Sequence, residues 1–545
     1  MTTIVGDLAS ASAAGYAVLA LAAEDSGSVD VPWPRLAVAF GVICMEALAA
    51  KRLDLGIADQ LVVAGIRTLV QLTLLGSILY PIFKTEHPGL VLSYIFLFMI
   101  PISASDCAAR PKVSYDKLFR NAVLSLAGAV LVCGAILLLI VQPSPWYNAQ
   151  YVIPMGGMLI GNALTGAAVA VNTILEHLSS KKEHVEILLA FGARPFEATW
   201  PGITQTFHQA MTPMINQMNI MGIVSIPGMM TGQVLGGATP LKAAKYQIAI
   251  TFMISASTTS AVGILSFLTV KSLFDRRGRL QPGAIIRNTR WGIVQFLNPA
   301  MWRKRWQEGA KTQAALQQPL VEEGVAGIEV VSVRSTPSKR DVILDLNLDV
   351  PIGTGAQLRG RIVVHEGEVA CVMGPSGVGK STLLKMVSDL IDCGNSAVRL
   401  KGDRSSSFKS EVWRREVLYL PQMSGTLPGT PRDFLATLTK LKVRKGQPPI
   451  DPIPVLEAIG LSPTFLERPW GELSGGERQR TLVAIAASAG PSVLLLDEPT
   501  SALDSDSKLL VDEQIRKLPC SVLMVTHDSQ QAERLNGSIW KLTPK

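Results

Sequence analysis

The chain reads as an α-helical polytopic membrane domain followed by an α/β P-loop ATPase domain. Three observations predict this. Before about position 275 lie seven apolar stretches, each near the length of a membrane-spanning helix. Gly374, Pro375, Ser376, Gly377, Val378, Gly379, Lys380 and Ser381, followed by Thr382, fit the phosphate-binding pattern G-x-x-x-x-G-K-[ST]. Only 17% of the 545 residues are charged and 48% are hydrophobic, against roughly 25% charged in ordinary globular chains. That length suits several domains. The expected division is 1–30, an N-terminal segment; 31–275, the membrane domain; 276–324, a basic linker; and 325–545, the ATPase.

Residues 8–23 are apolar, rich in Ala and Ser, and shorter than the ~20 residues a span needs. No Lys or Arg precedes Arg35, so the basic start of a signal peptide is missing. A surface helix, a short extra span and a processed segment all stay open here. The expected spans fall at 33–50, 58–83, 88–107, 121–141, 151–173, 211–235 and 246–273. The sixth is interrupted by Pro227 and Gly228 and carries Asn216, Gln217 and Asn219. Such a segment is tolerated only inside a bundle or along a cavity.

An ATPase needs cytosolic ATP, so the chain must emerge on that side after the last span. Counting back puts Lys51, Arg52, Arg110, Lys112, Lys117 and Arg120 inside, in keeping with the positive-inside rule. Lys242 and Lys245 fall outside, against it. The longest inner loop, 175–210, holds an amphipathic helix at 184–191. It stops at Gly192, Ala193, Arg194 and Pro195.

The linker carries Arg276, Arg277, Arg279, Arg287, Arg290, Arg303, Lys304 and Arg305 among Trp291, Phe296, Trp302 and Trp306. Basic and aromatic residues just inside a span suit anionic lipid headgroups, at about 1 kcal/mol per basic residue. The position beside a span argues against a nucleic-acid partner, and much of the +8 net charge lies here. Six scattered cysteines without a C-x-x-C pair indicate neither a disulfide framework nor a zinc site.

The ATPase half explains its own chemistry. Glycines let backbone N–H groups turn inward around phosphate oxygens. Lys380 supplies charge for the β- and γ-phosphates, and the Ser381 hydroxyl can ligate Mg²⁺. Residues 493–496 form an apolar strand ending in Asp497 and Glu498. Asp497 would reach Mg²⁺, and Glu498 would act as general base on the attacking water. Ser474, Gly475 and Gly476 open a helix and suit a γ-phosphate approached from a second subunit. Gln422 follows a strand and can touch Mg²⁺ and water. His527 follows another and can hydrogen-bond the γ-phosphate.

This set, in this order, resembles the nucleotide-binding domain of ABC transporters over about residues 325–542. The resemblance implies ATP and Mg²⁺ as cofactors and makes Ser501–Asp504 the loop after the Asp-Glu pair. One departure stands out. Members of that family usually stack adenine on an aromatic residue of an early strand. Between Trp306 and the phosphate loop there is no Phe, Tyr or Trp; Arg334 or an aliphatic side chain would hold adenine instead. Residues 351–356 read as a small insertion. The six-residue spacing of Glu186 and Gly192 is similar to that of the loop by which many importer permeases dock on their ATPase.

The membrane half, about 36–273, resembles the FetB-type permeases, which include bacterial iron-export and plant aluminium-tolerance permeases. The stretches carrying the likeness are 192–195 (Gly-Ala-Arg-Pro), 224–232 (Val-Ser-Ile-Pro-Gly-Met-Met-Thr-Gly), 245–248 (Lys-Tyr-Gln-Ile) and 155–163. Such permeases normally pair with a separate ATPase; here the two are fused. The resemblance implies a homodimeric ABC half-transporter in a membrane. The cargo would be a metal ion of the iron type or a small solute such as UDP-glucose. A non-transporting, membrane-tethered ABC ATPase is the reading of a different class.

Charges within spans are expensive and tend to be functional, which singles out Glu46 and Arg67 as cargo residues or as partners of each other. Met211, Met214, Met218 and Met221 repeat at helical spacing, with Met229 and Met230 beyond. Thioethers are soft ligands that suit Cu(I) better than iron or aluminium, and such a stripe also serves as adaptable packing. Asp106, Glu176, His177 and His208 could offer harder ligands.

Overall fold

The structure is a computed structural model that describes residues 31–84, 87–287, 327–334, 341–352, 356–394, 397–422 and 427–544. The N-terminal segment and most of the basic linker lie outside the described residues. The membrane half begins with a hairpin of α1 (Trp33–Arg52) and α2 (Ala58–Lys84). Then come α3 (Pro88–Ala109), α4 (Leu118–Val141) and α5 (Ala149–Ser180), with a π-helical turn at Tyr94–Met99 inside α3. The short α6 (Lys182–Ala190) leads to α7 (Pro195–Ile220), α8 (Gly228–Leu235) and α9 (Pro240–Leu273).

Six of these helices, α1–α5 and α9, are long and apolar enough to cross a membrane. The expected span at 211–235 takes another form. Residues 211–220 are the end of α7, which begins at Pro195 and runs through Pro201 and Pro213. The chain then leaves the helix at Met221 and resumes as α8. Proline in a membrane helix is tolerated because neighbours re-satisfy the freed carbonyls, so one helix runs from Pro195, inside the expected inner loop, through the start expected at 211.

Small residues let α5 and α9 approach closely, as membrane helices require. A Cβ on Gly166 would lie 2.6 Å from Thr258 Cγ2. At the inner end of α9 a buried polar cluster joins it to α4: Tyr115 Oη meets Thr269 Oγ1 at 2.9 Å, and Asn121 Nδ2 donates to Tyr115 Oη at 3.0 Å and Ser272 Oγ at 2.9 Å. Strand β1 (Val113–Ser114) pairs antiparallel with β2 (Ile286–Arg287), tying the α3–α4 loop to the segment after α9.

The ATPase half is built on a ten-stranded sheet ordered β8-β7-β4-β5-β3-β12-β6-β11-β10-β9. Its strands are β3 (Gly327–Arg334), β4 (Val342–Ile352), β5 (Ala356–His365), β6 (Val369–Met373), β7 (Ala397–Leu400), β8 (Asp403–Arg404), β9 (Val417–Leu420), β10 (Val493–Asp497), β11 (Ser521–Val525) and β12 (Ile539–Pro544). β9, β10, β11 and β6 are parallel neighbours, and β9, β10 and β11 are buried along their whole length. This is what unbroken apolar runs such as Val493–Leu496 demand. Of the expected insertion at 351–356, Pro351 and Ile352 end β4 and Ala356 begins β5, which pair antiparallel; 353–355 lie outside the described residues.

Candidate active site

The phosphate loop links β6 to α10 (Lys380–Val387). Gly377 and Gly379 have φ of +80° and +93°, values L-residues avoid, and a Cβ on Gly377 would meet open space. Lys380 is 7% exposed and its Nζ donates to the Gly374 and Pro375 carbonyls, both at 2.9 Å. Asp497 ends β10 at 4% exposure and accepts from Tyr419 Oη at 3.0 Å. Burial pushes its carboxyl above the ordinary range, opposed by hydrogen bonds from Ser381 and Tyr419. Loop, hydroxyl and carboxylate thus stand together at the carboxyl ends of β6 and β10, where open α/β sheets bind ligands.

Glu498 turns the chain at φ +46°, with its amide donating to the Val525 carbonyl at 3.1 Å. That turn aims its carboxylate at two other loops. Gln422 Nε2 donates to Glu498 Oε2 at 3.4 Å and to Ser501 Oγ at 3.2 Å. His527 Nδ1 lies 3.4 Å from Glu498 Oε1. Residues widely separated in sequence therefore converge on one carboxylate. Ser474 caps α11 (Gly475–Ser488) in a reciprocal capping box with Glu477: Ser474 N donates to Glu477 Oε2 at 2.7 Å, and Glu477 N donates to Ser474 Oγ at 3.3 Å. Gly475 and Gly476 lie against Ala502 and Leu503. Arg334, the expected adenine partner, donates through Nη2 to Asn536 Oδ1 at 2.6 Å.

The inner loop docks on this machinery. Glu186 on α6 accepts from Lys385 Nζ at 2.8 Å, and Lys385 lies on the helix that begins at Lys380. Phe191 meets Phe434 edge-on at 5.5 Å, Arg194 pairs with Glu411 at 3.0 Å, and Glu197 Oε1 accepts from Lys442 N at 3.0 Å. A second contact was not foreseen. Arg277 and Arg279, read above as headgroup partners, both pair with Asp389, at 2.9 and 2.7 Å. The buried Arg414 donates to the Arg277, Gly278 and Asp389 carbonyls. Asp389 lies 112 and 110 residues from Arg277 and Arg279, so no local pattern could reveal it.

The cargo residues fare differently. Glu46 is exposed on α1, and Arg67 on α2 is half-buried with its Nε lacking a hydrogen-bond partner. No ion pair joins the two among the described residues. Asp106 pairs with Arg110 four residues on. Among the described residues no three His, Cys, Asp or Glu side chains gather to hold a metal.

Fold and site together define a multi-pass membrane protein with an ABC ATPase on the same chain. Residues 33–274 match the family model described as uncharacterised protein family UPF0014, and 361–501 match the ABC transporter model. The UPF0014 membrane protein YjkA of Bacillus subtilis is 30% identical over 239 residues, covering 44% of this chain and 94% of that one. The probable iron export permease protein FetB of Escherichia coli is 27% identical over 245 residues, covering 45% and 93%. The probable iron export ATP-binding protein FetA of the same organism is 38% identical over 172 residues, covering 31% and 76%. The chain belongs to the UPF0014 membrane-protein family and carries, behind that domain, an ABC transporter ATPase that couples ATP hydrolysis to transport.

Proposed function

We propose that two copies of this chain form an ATP-driven exporter for metal ions of the iron type. The observation that supports it is the pairing of likenesses: the two halves are separately similar to a permease and an ATP-binding protein that both carry the name of probable iron export. The functional division proposed is a membrane domain at 31–275, a linker at 276–324 and a cytosolic ATPase at 325–545, preceded by the segment 1–30.

In this reading residues 374–382 hold the ATP phosphates through their backbone N–H groups, which Pro375 alone lacks, and through the Lys380 ammonium. Ser381, Gln422 and Asp497 would hold Mg²⁺; a buried carboxylate penalised by desolvation beside a hydroxyl is a donor set that a hard cation satisfies. The ion would neutralise charge developing on the transferred phosphoryl group. Glu498 takes the proton from water, and His527 and Gln422 position its carboxylate and the γ-phosphate. Gly475 and Gly476 sit against Ala502 and Leu503 of their own chain, and with Ser474 they would open the helix end that meets the γ-phosphate held by a second copy. Closure of two ATPase domains then moves α6 through Lys385 and Glu186.

The test is ATPase activity of the protein in lipid with Fe²⁺, Fe³⁺, Al³⁺ and UDP-glucose added separately, with Glu498→Gln as blank. Stimulation by iron supports the proposal. Stimulation by UDP-glucose alone replaces the metal with a nucleotide sugar. Indifference to all four leaves the ATPase standing and the iron assignment wrong.

A further inference from the structure

The methionine stripe of α7 is packing. Met214 is 8% exposed, Thr259 Oγ1 on α9 donates to Met211 Sδ at 3.4 Å, and Thr251 Oγ1 donates to Met221 Sδ at 3.5 Å. These contacts also fix depth. α7 and α9 run antiparallel, and the inner end of α9 at Leu273 leads straight to the Arg277 and Arg279 contacts with the ATPase. At 1.5 Å per residue, Thr259 and Thr251 lie ~21 and ~33 Å from that end. Residues 211–216 of α7 therefore stand within the hydrocarbon core, about 30 Å thick, and Asn219 at its outer edge.

The opposite side of α7 is polar. Gln205, His208, Thr212, Asn216 and Asn219 are all exposed and fall within about 80° of one another at 100° per residue. The outward faces of neighbouring spans are apolar, as on α4, where Leu131, Val132, Leu139 and Ile140 are 59%, 55%, 73% and 54% exposed. Unpaired amides facing acyl chains would each cost several kcal/mol. A face this polar, at this depth, belongs against water.

We propose that this five-residue ladder, facing its counterpart across the dimer, lines the transport path and binds cargo through its oxygen shell. The proposal rests on the homodimeric transporter reading and deepens it. The ladder offers amides, a hydroxyl and an imidazole but no carboxylate or thiolate. A bare ion would find only one nitrogen ligand, His208, in each ladder; neutral hydrogen-bonding groups suit a metal that keeps its waters or travels in a polar chelate.

The test uses the full chain in lipid vesicles, in a Cys44→Ser, Cys393→Ser background. Gln205→Cys, His208→Cys, Thr212→Cys, Asn216→Cys and Asn219→Cys, made one at a time, are exposed to a membrane-impermeant, positively charged thiol reagent, with Leu139→Cys as the lipid-facing reference. The expected result is labelling at the ladder at least tenfold faster than at 139, changing when ATP is added to the Glu498→Gln form. Labelling as slow as at 139 overturns the proposal. In a second arm, Asn216→Leu with Asn219→Leu raises the half-maximal stimulating concentration about tenfold, ~1.4 kcal/mol, and Met218→Leu on the packed face does not. Aquo-Fe²⁺ and Fe³⁺-citrate tell retained waters from a chelate; equal response of the double variant and the parent overturns the binding role. If iron never stimulates the parent while the ladder labels, the iron assignment fails and the path stands.

Discussion

At Gly192 the backbone turns at φ +88°, and a Cβ there would lie 2.7 Å from the Glu411 carbonyl and 3.0 Å from Val443 Cγ1. Membrane domain and ATPase touch backbone to backbone at this point, and only glycine fits. Gly192→Ala should weaken docking by about 1–3 kcal/mol through strain and collision. Cargo-stimulated ATPase should fall toward the unstimulated rate while ATP still binds; an unchanged stimulation ratio would remove Gly192 from the interface. Glu498 is the other single residue on which much depends. As general base its replacement by Gln should lower turnover by about 10²–10⁴, with ATP binding retained. Undiminished turnover would take the proton from Glu498 and give it to another group.

Among elements, α6 carries the coupling contact, and its polar side chains set two expectations. Glu186 and Lys385 are both largely buried, so reversing one charge leaves two like charges facing each other. Glu186→Lys should uncouple the ATPase from cargo, and the double exchange with Lys385→Glu should restore part of the coupling; no recovery would argue for a purely steric contact. His184 on the same helix is held down to about 4 by burial, with smaller contributions from His177 and Lys181, against an ordinary value of 6.5. A lowered histidine favours the neutral form in the fold, so the unfolded chain takes the proton first. Stability should be full above pH 6.5 and fall as pH drops toward 4, by at most about 3 kcal/mol. Thermal unfolding at pH 7 and pH 4.5 reads this, and His184→Gln should flatten the difference; an equal difference in the variant would assign the acid sensitivity elsewhere.

The elements also show what a sequence can carry. The phosphate loop, the carboxylates at the end of β10 and the capped α11 were legible because each is a local pattern whose neighbours in sequence are its neighbours in space. The period of the α7 methionines was equally legible, but a period does not say which side faces the bundle, and the methionines proved to be the packed side. Pro227 and Gly228 marked a true break, whereas Pro201 and Pro213 were absorbed within α7. Asp389 carried no signal at all. Its importance comes from Arg277, Arg279 and Arg414 meeting it across a long stretch of chain, a product of tertiary packing alone.

At the scale of the whole molecule, the two halves are joined by more than a linker. α6 and the turn after α9 grip the same end of α10: Glu186 holds Lys385 in its last turn, and the arginines hold Asp389 just past it. Any movement of the phosphate loop is thus felt by the inner loop and by the last span together. The most direct test is ATP-driven iron flux in sealed vesicles with the ATPase domain facing outward. The account predicts that iron accumulates inside when ATP is supplied to the native chain and not when Glu498→Gln is used. ATP hydrolysis with no iron movement, or equal accumulation by both proteins, would contradict it.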